Sequence, residues 1–333
     1  MQHKRSHTTK TLTLSACLVF NACRMHINDM PNFRSFSDIN VVQSDGTGHK
    51  ILVSGNCNNV VLTANSIFFI KDYSTLFSMD YDGSHLIPRY QDLNWFHCTL
   101  SDDGSKILLT SHSPISPIAG YNLFTIEPDG TNLQQLTSNE GEFALARLSP
   151  RLDEILFQRN SAIAVANLDG TNVRFVTAQT DSTWDGSARY LDENRILYWH
   201  VNHKDGSETT RLFDRINQTD KLISSSFGLF SPYTGKIVEA DSFICTNDGF
   251  VSYYIYTRDT LIRVARGYDA TFSADGKKIV YDDYTNIFVE DVDRTNINLV
   301  YTEQEQGKNI TLPQLSPDGK FIVFQTNYSI PTD

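Results

Sequence analysis

One short unit recurs along this chain, and few folds are open to a sequence that repeats it. An apolar residue, Ser, any residue, Asp and Gly are followed, after one or two intervening residues, by an apolar run. Leu100-Ser101-Asp102-Asp103-Gly104 leads into Ile107-Leu108-Leu109, and Phe272-Ser273-Ala274-Asp275-Gly276 into Ile279-Val280-Tyr281. Leu315-Ser316-Pro317-Asp318-Gly319 leads into Phe321-Ile322-Val323-Phe324. Weaker copies stand at Leu148-Ser149-Pro150-Arg151 with Ile155-Leu156-Phe157, and at Phe230-Ser231-Pro232 with Ile237-Val238. Tyr190-Leu191-Asp192-Glu193 with Ile196-Leu197-Tyr198 is a degenerate copy. Between these copies runs a second unit: an alternating strand, an Asp-Gly-Thr-like turn, another strand, then Thr or Ser. Segments 39–54, 76–88, 123–137 and 164–177 carry it.

Both units read as hairpins. Gly takes positive φ without steric cost and Asp tolerates it, so Asp-Gly between apolar runs marks a tight turn. Ten of the 18 glycines directly follow Asp, so turns account for most of the glycine. Phe321–Phe324 is apolar at consecutive positions, which suits a strand buried on both faces. Two hairpins make one four-stranded sheet, and such sheets in series are propeller blades. Segment 39–54 is a second hairpin with no first, and the last unit is a first hairpin with no second. The two halves complete one blade and leave no exposed sheet edge. The spacing therefore predicts an all-β, seven-bladed propeller of four-stranded antiparallel blades, closed by N- and C-terminal segments that share a blade. A less regular first hairpin is expected within 60–71. Six blades is the alternative if the irregular 55–92 stretch is not a blade.

The segment from Leu315 to Phe324 closely resembles the repeat of the TolB-like propellers, an apolar–Ser–Pro–Asp–Gly–Lys–x–Ile–x–Phe strand pair. The resemblance covers 36–333, is strongest over 93–180 and 268–324, and degenerates over 181–267. It implies the propeller fold. The family includes periplasmic partner-binding proteins, propeller domains of serine peptidases and oligogalacturonate lyases, so function has to be read from the site. The peptidase branch is not expected, because no hydrolase domain follows and no G-x-S-x-G elbow occurs.

The first 23 residues are of another kind. Residues 1–10 are polar and basic, 11–20 (TLTLSACLVF) are mostly apolar and uncharged, and Asn21-Ala22-Cys23 follows. That order is an export signal. The apolar run is far short of the ~20 residues of a membrane span. Ala22-Cys23 matches the end of a lipoprotein signal, with Cys23 as the lipidated first mature residue. Leu14-Ser15-Ala16-Cys17 matches the box better but leaves a very short apolar region. Plain secretion is the alternative. Segment 24–35 is expected as a linker and 36–333 as the single propeller domain.

Formal charge is −11, and losing Lys4, Arg5 and Lys10 with the leader makes the remainder more acidic. An acidic surface repels phosphate backbones, which argues against a nucleic-acid partner. The longest basic run is Lys277-Lys278. Past the leader, Cys57, Cys98 and Cys245 are odd in number and widely spaced, which favours buried free thiols over a bridge.

Chemistry-bearing patterns are sparse. His200 and His203 form the one His cluster beyond the leader, and a lyase of the resembling type would hold a divalent metal through histidines. Residues three apart on a strand face opposite ways, however, so a strand end running into Asp205-Gly206 is the expectation. Isolated His97 and His112 are read as blade residues. Asp80-Tyr81-Asp82-Gly83 and Asp282-Asp283 lack the further oxygens of a calcium loop and are expected to be solvated turn acids. The residues leading into each innermost strand should ring one mouth of the funnel: Asn94, Trp95, Glu142, Phe143, Trp184, Asp185, Tyr268, Asp269 and Asn309. Aromatics mixed with acids and amides suit a peptide or sugar. The expectation is an exported, lipid-anchored, monomeric envelope propeller that binds a protein or peptide, or a glycan, at that mouth. No cofactor, metal or catalytic residue is expected. A metal-dependent polysaccharide lyase and an envelope protein of purely structural role are the alternatives.

Overall fold

The structure is a computed structural model. It describes residues 33–331, apart from 92–94, 102–104, 113–120, 138–143, 225–241, 248–249 and 256–259. Among the described residues every regular element is a β-strand. The strands make seven antiparallel sheets. Blades 1 to 6 span 57–90, 95–135, 144–175, 183–224, 242–266 and 270–302. Blade 7 joins both ends of the chain in the order Asn309–Leu315, Phe321–Pro331, Phe33–Gln43, Lys50–Val53. The seven-bladed reading holds. The six-bladed alternative fails because Cys57–Leu62, Ile67–Lys71, Thr75–Met79 and Ile87–Tyr90 form a regular sheet. Blade 5 has three strands among the described residues, and the copy at Phe230-Ser231 lies outside them. The first strand starts at Phe33, so residues 33–35 belong to the closing blade rather than to a linker.

The repeat residues do what their chemistry allows. The unit-opening serines are buried, and each backbone N–H bonds across the turn: Ser101 to Lys106, Ser149 to Glu154, Ser273 to Lys278 and Ser316 to Phe321, at 2.8–2.9 Å. The hydroxyl then satisfies the returning strand, as where Phe321 N–H donates to Ser316 Oγ at 3.0 Å. Each turn aspartate accepts the backbone N–H two residues on: Asp45 from Thr47, Asp82 from Ser84, Asp129 from Thr131, Asp169 from Thr171, Asp275 from Lys277 and Asp318 from Lys320. The glycine between them takes positive φ in all six. This is the Asx turn, a local substitute for ladder bonding.

Asp185-Gly186 breaks that rule. It lies inside the innermost strand of blade 4, Thr183–Tyr190, and makes no turn. A Cβ on Gly186 would stand 2.1 Å from the Trp184 ring, so this glycine makes room for an indole.

Blades pack face to face, and six interfaces carry apolar clusters among the described residues. Blades 1 and 2 meet through Val61, Phe68, Ile70, Leu76, Cys98, Ile107, Leu109 and Ile126. The closing blade is gripped on both faces. Val323 and Ile39 pack on blade 1, while Phe324, Ile322 and Val42 pack on blade 6. Each fully buried large side chain contributes ~1.5–3 kcal/mol. Cys57 and Cys98 are free and buried, as expected, and burial pushes both thiols up to about 12. The side chain of Cys245 is outside the described set.

Antiparallel pairing sorts the connections into two ends. Within a blade, the turns after the first and third strands lie at one end, the turn end, where the six Asx turns stand. The turn after the second strand and the link to the next blade lie at the other, the mouth end.

Candidate functional site

The mouth end is where the sequence places the candidate residues. Asn94, Glu142 and Phe143 lie outside the described residues, as do the side chain of Trp95 and residues 1–32, Cys23 among them. Tyr268, Asp269 and Asn309 lie together where blades 6 and 7 meet. Tyr268 is half-buried and stacks on Tyr284 at 4.0 Å. Asp269 accepts the backbone N–H of Leu312, three residues past Asn309, at 3.0 Å. Asn309 is exposed. On blade 4, Trp184 packs edge-on against Trp199 at 4.9 Å, towards blade 3. Its neighbour Asp185 points the other way, is buried, and bonds His200 Nδ1 at 2.6 Å. His203 is an exposed turn residue, so the two histidines diverge as the strand spacing implies.

Sequence reasoning missed an aromatic arc over blades 6, 7 and 1, which are neighbours in the ring. Tyr73 sits in the turn after the second strand of blade 1 at φ 56° and is 65% exposed. Tyr284 holds the matching turn of blade 6 at φ 74°. Between them, strands Phe33–Gln43 and Phe321–Pro331 pair along their whole length, while the innermost strand of blade 7 starts only at Asn309, opposite Asn327. Residues 328–331 and 33–36 therefore overhang as a two-stranded ribbon. Phe36 stacks on Tyr328 at 5.6 Å, and the Lys308 ammonium lies 4.8 Å from the Tyr328 ring. The Tyr328 hydroxyl donates to the buried Asp38 carboxylate, which also accepts Gly55 N–H at 2.8 Å. A bulky L-residue at positive φ costs about 1–2 kcal/mol, and such strain gathers at functional surfaces. The signal in the sequence was Asp-Tyr after a second strand, at Asp72-Tyr73 and Asp283-Tyr284.

A second missed feature lines the channel. In blades 1, 3, 4 and 7 the innermost strand bulges four residues before the unit-opening Ser or its equivalent. Asn59, Leu145, Ser187 and Leu312 all sit there at φ 50–53°, each at a register shift. Ser187 and Leu312 are half-exposed between buried neighbours, so the bulge turns them towards the open space inside the innermost strands. Asp269 occupies the same repeat position in blade 6, and His97 in blade 2, where the register also shifts. A bulge frees backbone groups from the ladder, and the Leu312 N–H so freed is the one that Asp269 takes.

Asp282 corrects the sequence reading. It is 0% exposed at the end of its strand, so it is not a solvated turn acid. One carboxyl oxygen accepts Tyr284 N–H at 2.9 Å, and burial, reinforced by the nearby Asp269 carboxyl, holds it well above the usual carboxylate range. Burial raises Asp269 too, against the opposing hydrogen bond from Leu312. At Asp80–Gly83, by contrast, the acids are turn residues: Asp82 accepts Ser84 N–H, and Asp80 bonds His85 at 2.7 Å. No group of three or more His, Cys, Asp or Glu side chains among the described residues is placed to hold a metal.

No family model matches the chain, and no curated protein sequence matches it. Solved structures match by shape. An oligogalacturonate lyase in complex with manganese is 13% identical, with a TM-score of 0.58 over 84% of this chain and 79% of that one. A TolB candidate from Agrobacterium tumefaciens is 12% identical, with a TM-score of 0.50 over 90% of this chain and all of that one. Dipeptidyl peptidase 4 from Porphyromonas gingivalis is 12% identical, with a TM-score of 0.51 over 78% of this chain, which spans about half of that one. At these identities the likeness establishes the fold: the architecture is that of the TolB-like propellers.

Proposed function

We propose that this propeller is exported to the cell envelope, tethered there through lipid on Cys23, and binds a protein or peptide at the mouth end without catalysing a reaction. The observation that carries this reading is the aromatic arc: Tyr73, Tyr284 and Tyr328 on adjacent blades, two of them held at positive φ. Aromatic side chains are enriched in the cores of protein interfaces and dominate their energetics. The overhanging ribbon with exposed Arg34, Ser329 and Ile330 offers backbone and side chain beside them. The residues Tyr268, Asp269 and Asn309 supply polar contacts on the same side of the ring, and the acidic surface keeps nucleic acid away.

One observation favours the metal-dependent polysaccharide lyase as the second reading. His200 has one ring nitrogen fixed by the buried Asp185 carboxylate, the support that metal-ligating histidines commonly receive. Intact mass of protein extracted from membranes, with melting measured with and without chelator, separates the two. A diacyl- or triacylglyceryl increment on a chain starting at Cys23, with unchanged melting, is the expected result. An unlipidated chain that loses stability with chelator overturns it and brings the lyase forward.

A further inference from the structure

At the turn end, on the opposite side of the ring from the mouth, blades 3 and 4 leave a cleft of about 530 Å3. It opens beside a short strand. The outermost strand of blade 3 is only Arg174–Phe175, whereas that of blade 4 runs Thr219–Ser224. The outer part of the interface is left uncovered, and residues distant in sequence meet across it.

Glu154 lies on the floor, its side chain 11% exposed. It accepts the Tyr190 hydroxyl at 2.7 Å, Arg215 Nη2 at 3.0 Å and Arg174 Nη2 at 3.1 Å. Arg215 also donates to the Glu193 carbonyl at 2.9 Å and packs over the Tyr190 ring. The inner acid is therefore matched already. The rim differs. The Arg174 side chain stays 51% exposed and, among the described residues, makes one hydrogen bond, to Glu154. Arg151 is 66% exposed and paired with Glu193. Asp153, the exposed acid of the rim, is held by the Ser149 hydroxyl at 2.8 Å. Phe175 and Ile216 flank the opening, both largely exposed.

A guanidinium carries five donors in a planar fork that fits a carboxylate. At the rim an incoming ligand meets Arg174 and Arg151, both more than half exposed although each is paired with one acid, the Asp153 carboxylate held by Ser149, and two bare apolar side chains beside them. The geometry points to a second binding site here, for an extended peptide segment in which an acidic side chain stands next to an apolar one. The carboxylate pairs with Arg174 and Arg151, and the apolar neighbour covers Phe175 and Ile216. The site is independent of the mouth and lies at the other end of the ring.

Calorimetric titration with the acetylated, amidated peptide Leu-Glu-Leu-Glu-Leu, beside its Leu-Gln-Leu-Gln-Leu counterpart, tests this. The acidic peptide should bind roughly tenfold tighter than the amide one, and Arg174→Gln or Arg151→Gln should remove about that factor. Ile216→Ser should weaken binding several-fold, and it keeps the test valid if Arg174→Gln melts early through loss of its Glu154 contact. Tyr73→Ala, at the mouth, should leave the ratio of affinities for the acidic and amide peptides unchanged, whatever it does to binding at the mouth. Equal affinity for the two peptides, no binding of either, or affinity lost with Tyr73→Ala but kept with Ile216→Ser would overturn the proposal.

Discussion

Six Asp-Gly turns close one end of the ring, and each holds its aspartate in the same way, through the backbone N–H two residues on. At the mouth end the connections differ from blade to blade: an exposed Tyr73 in blade 1, an Asp205-Gly206 turn in blade 4, the Tyr268–Tyr284 stack in blade 6 and an overhanging ribbon in blade 7. The same strands feed both ends, so strand pairing does not demand the difference. Local hydrogen bonding finishes the turn end, and the finished turns need no partner. Positive-φ side chains occur at both ends, but the mouth end places aromatics on them, the exposed Tyr73 and the half-buried Tyr284, and aromatics so held persist in a fold when something outside the blade uses them.

The comparison can be broken most severely at the closing blade. Asp38→Ala removes the carboxylate shared by Gly55 N–H, the Tyr328 hydroxyl and, at 3.8 Å, Lys308. Stranding those groups should cost about 3 kcal/mol in a urea titration. A loss under about 1 kcal/mol would mean that the ring is not anchored at its mouth. At the turn end, Ser316→Ala deletes the hydroxyl that serves Phe321 N–H and Asp318, and should cost about 1–2 kcal/mol.

Acid should separate the exposed turn carboxyls from the buried pair by sign. The turn carboxyls are held low by hydrogen bonds, Asp318 at about 2 through Lys320 and Ser316. Their contribution is present above the ordinary carboxyl pKa of about 3.9 and is lost as pH falls through the folded values. Asp282 and Asp269 are raised, so theirs is complete below about 3.9 and lost as pH rises through the folded values. The whole protein should therefore weaken below about pH 4. Asp282→Asn should gain stability at pH 7 and little at pH 3; an equal change at both would refute the buried-acid account. The smallest effect sharpens the contrast. Tyr73→Gly relieves a positive φ, less the added freedom of the unfolded chain, so it should gain about 0.5 kcal/mol while weakening partner binding.

The turn end was legible because its chemistry is local. Ser316, Asp318 and Gly319 act within six residues of one another, and a sequence displays that directly. The same dipeptide has a different use at Asp185-Gly186, where the Trp184 ring and not a turn requires glycine. The mouth was only half legible. Tyr268, Asp269 and Asn309 followed from counting strands, but Tyr73 and Tyr284 reach positive φ without a glycine to mark it. The bulge position holds Asn59, Leu145, Ser187 and Leu312, four unlike residues whose common role appears only in the register. Arg151, Arg174 and Arg215 lie far apart in a chain whose longest basic run is two residues, and only blade packing brings them together.

The central claim is that partners meet the mouth end, and site-specific photocrosslinking in intact cells tests it most directly. A photoreactive residue is placed at Tyr73, Tyr284 or Tyr328, and in parallel at the turn-end positions Asn132, Asn172 and Thr295. One discrete protein adduct shared by the three mouth positions, and lost in Tyr73→Gly protein probed at Tyr328, is the predicted result. Adducts confined to the turn end, or none from any of the three mouth positions, would contradict it.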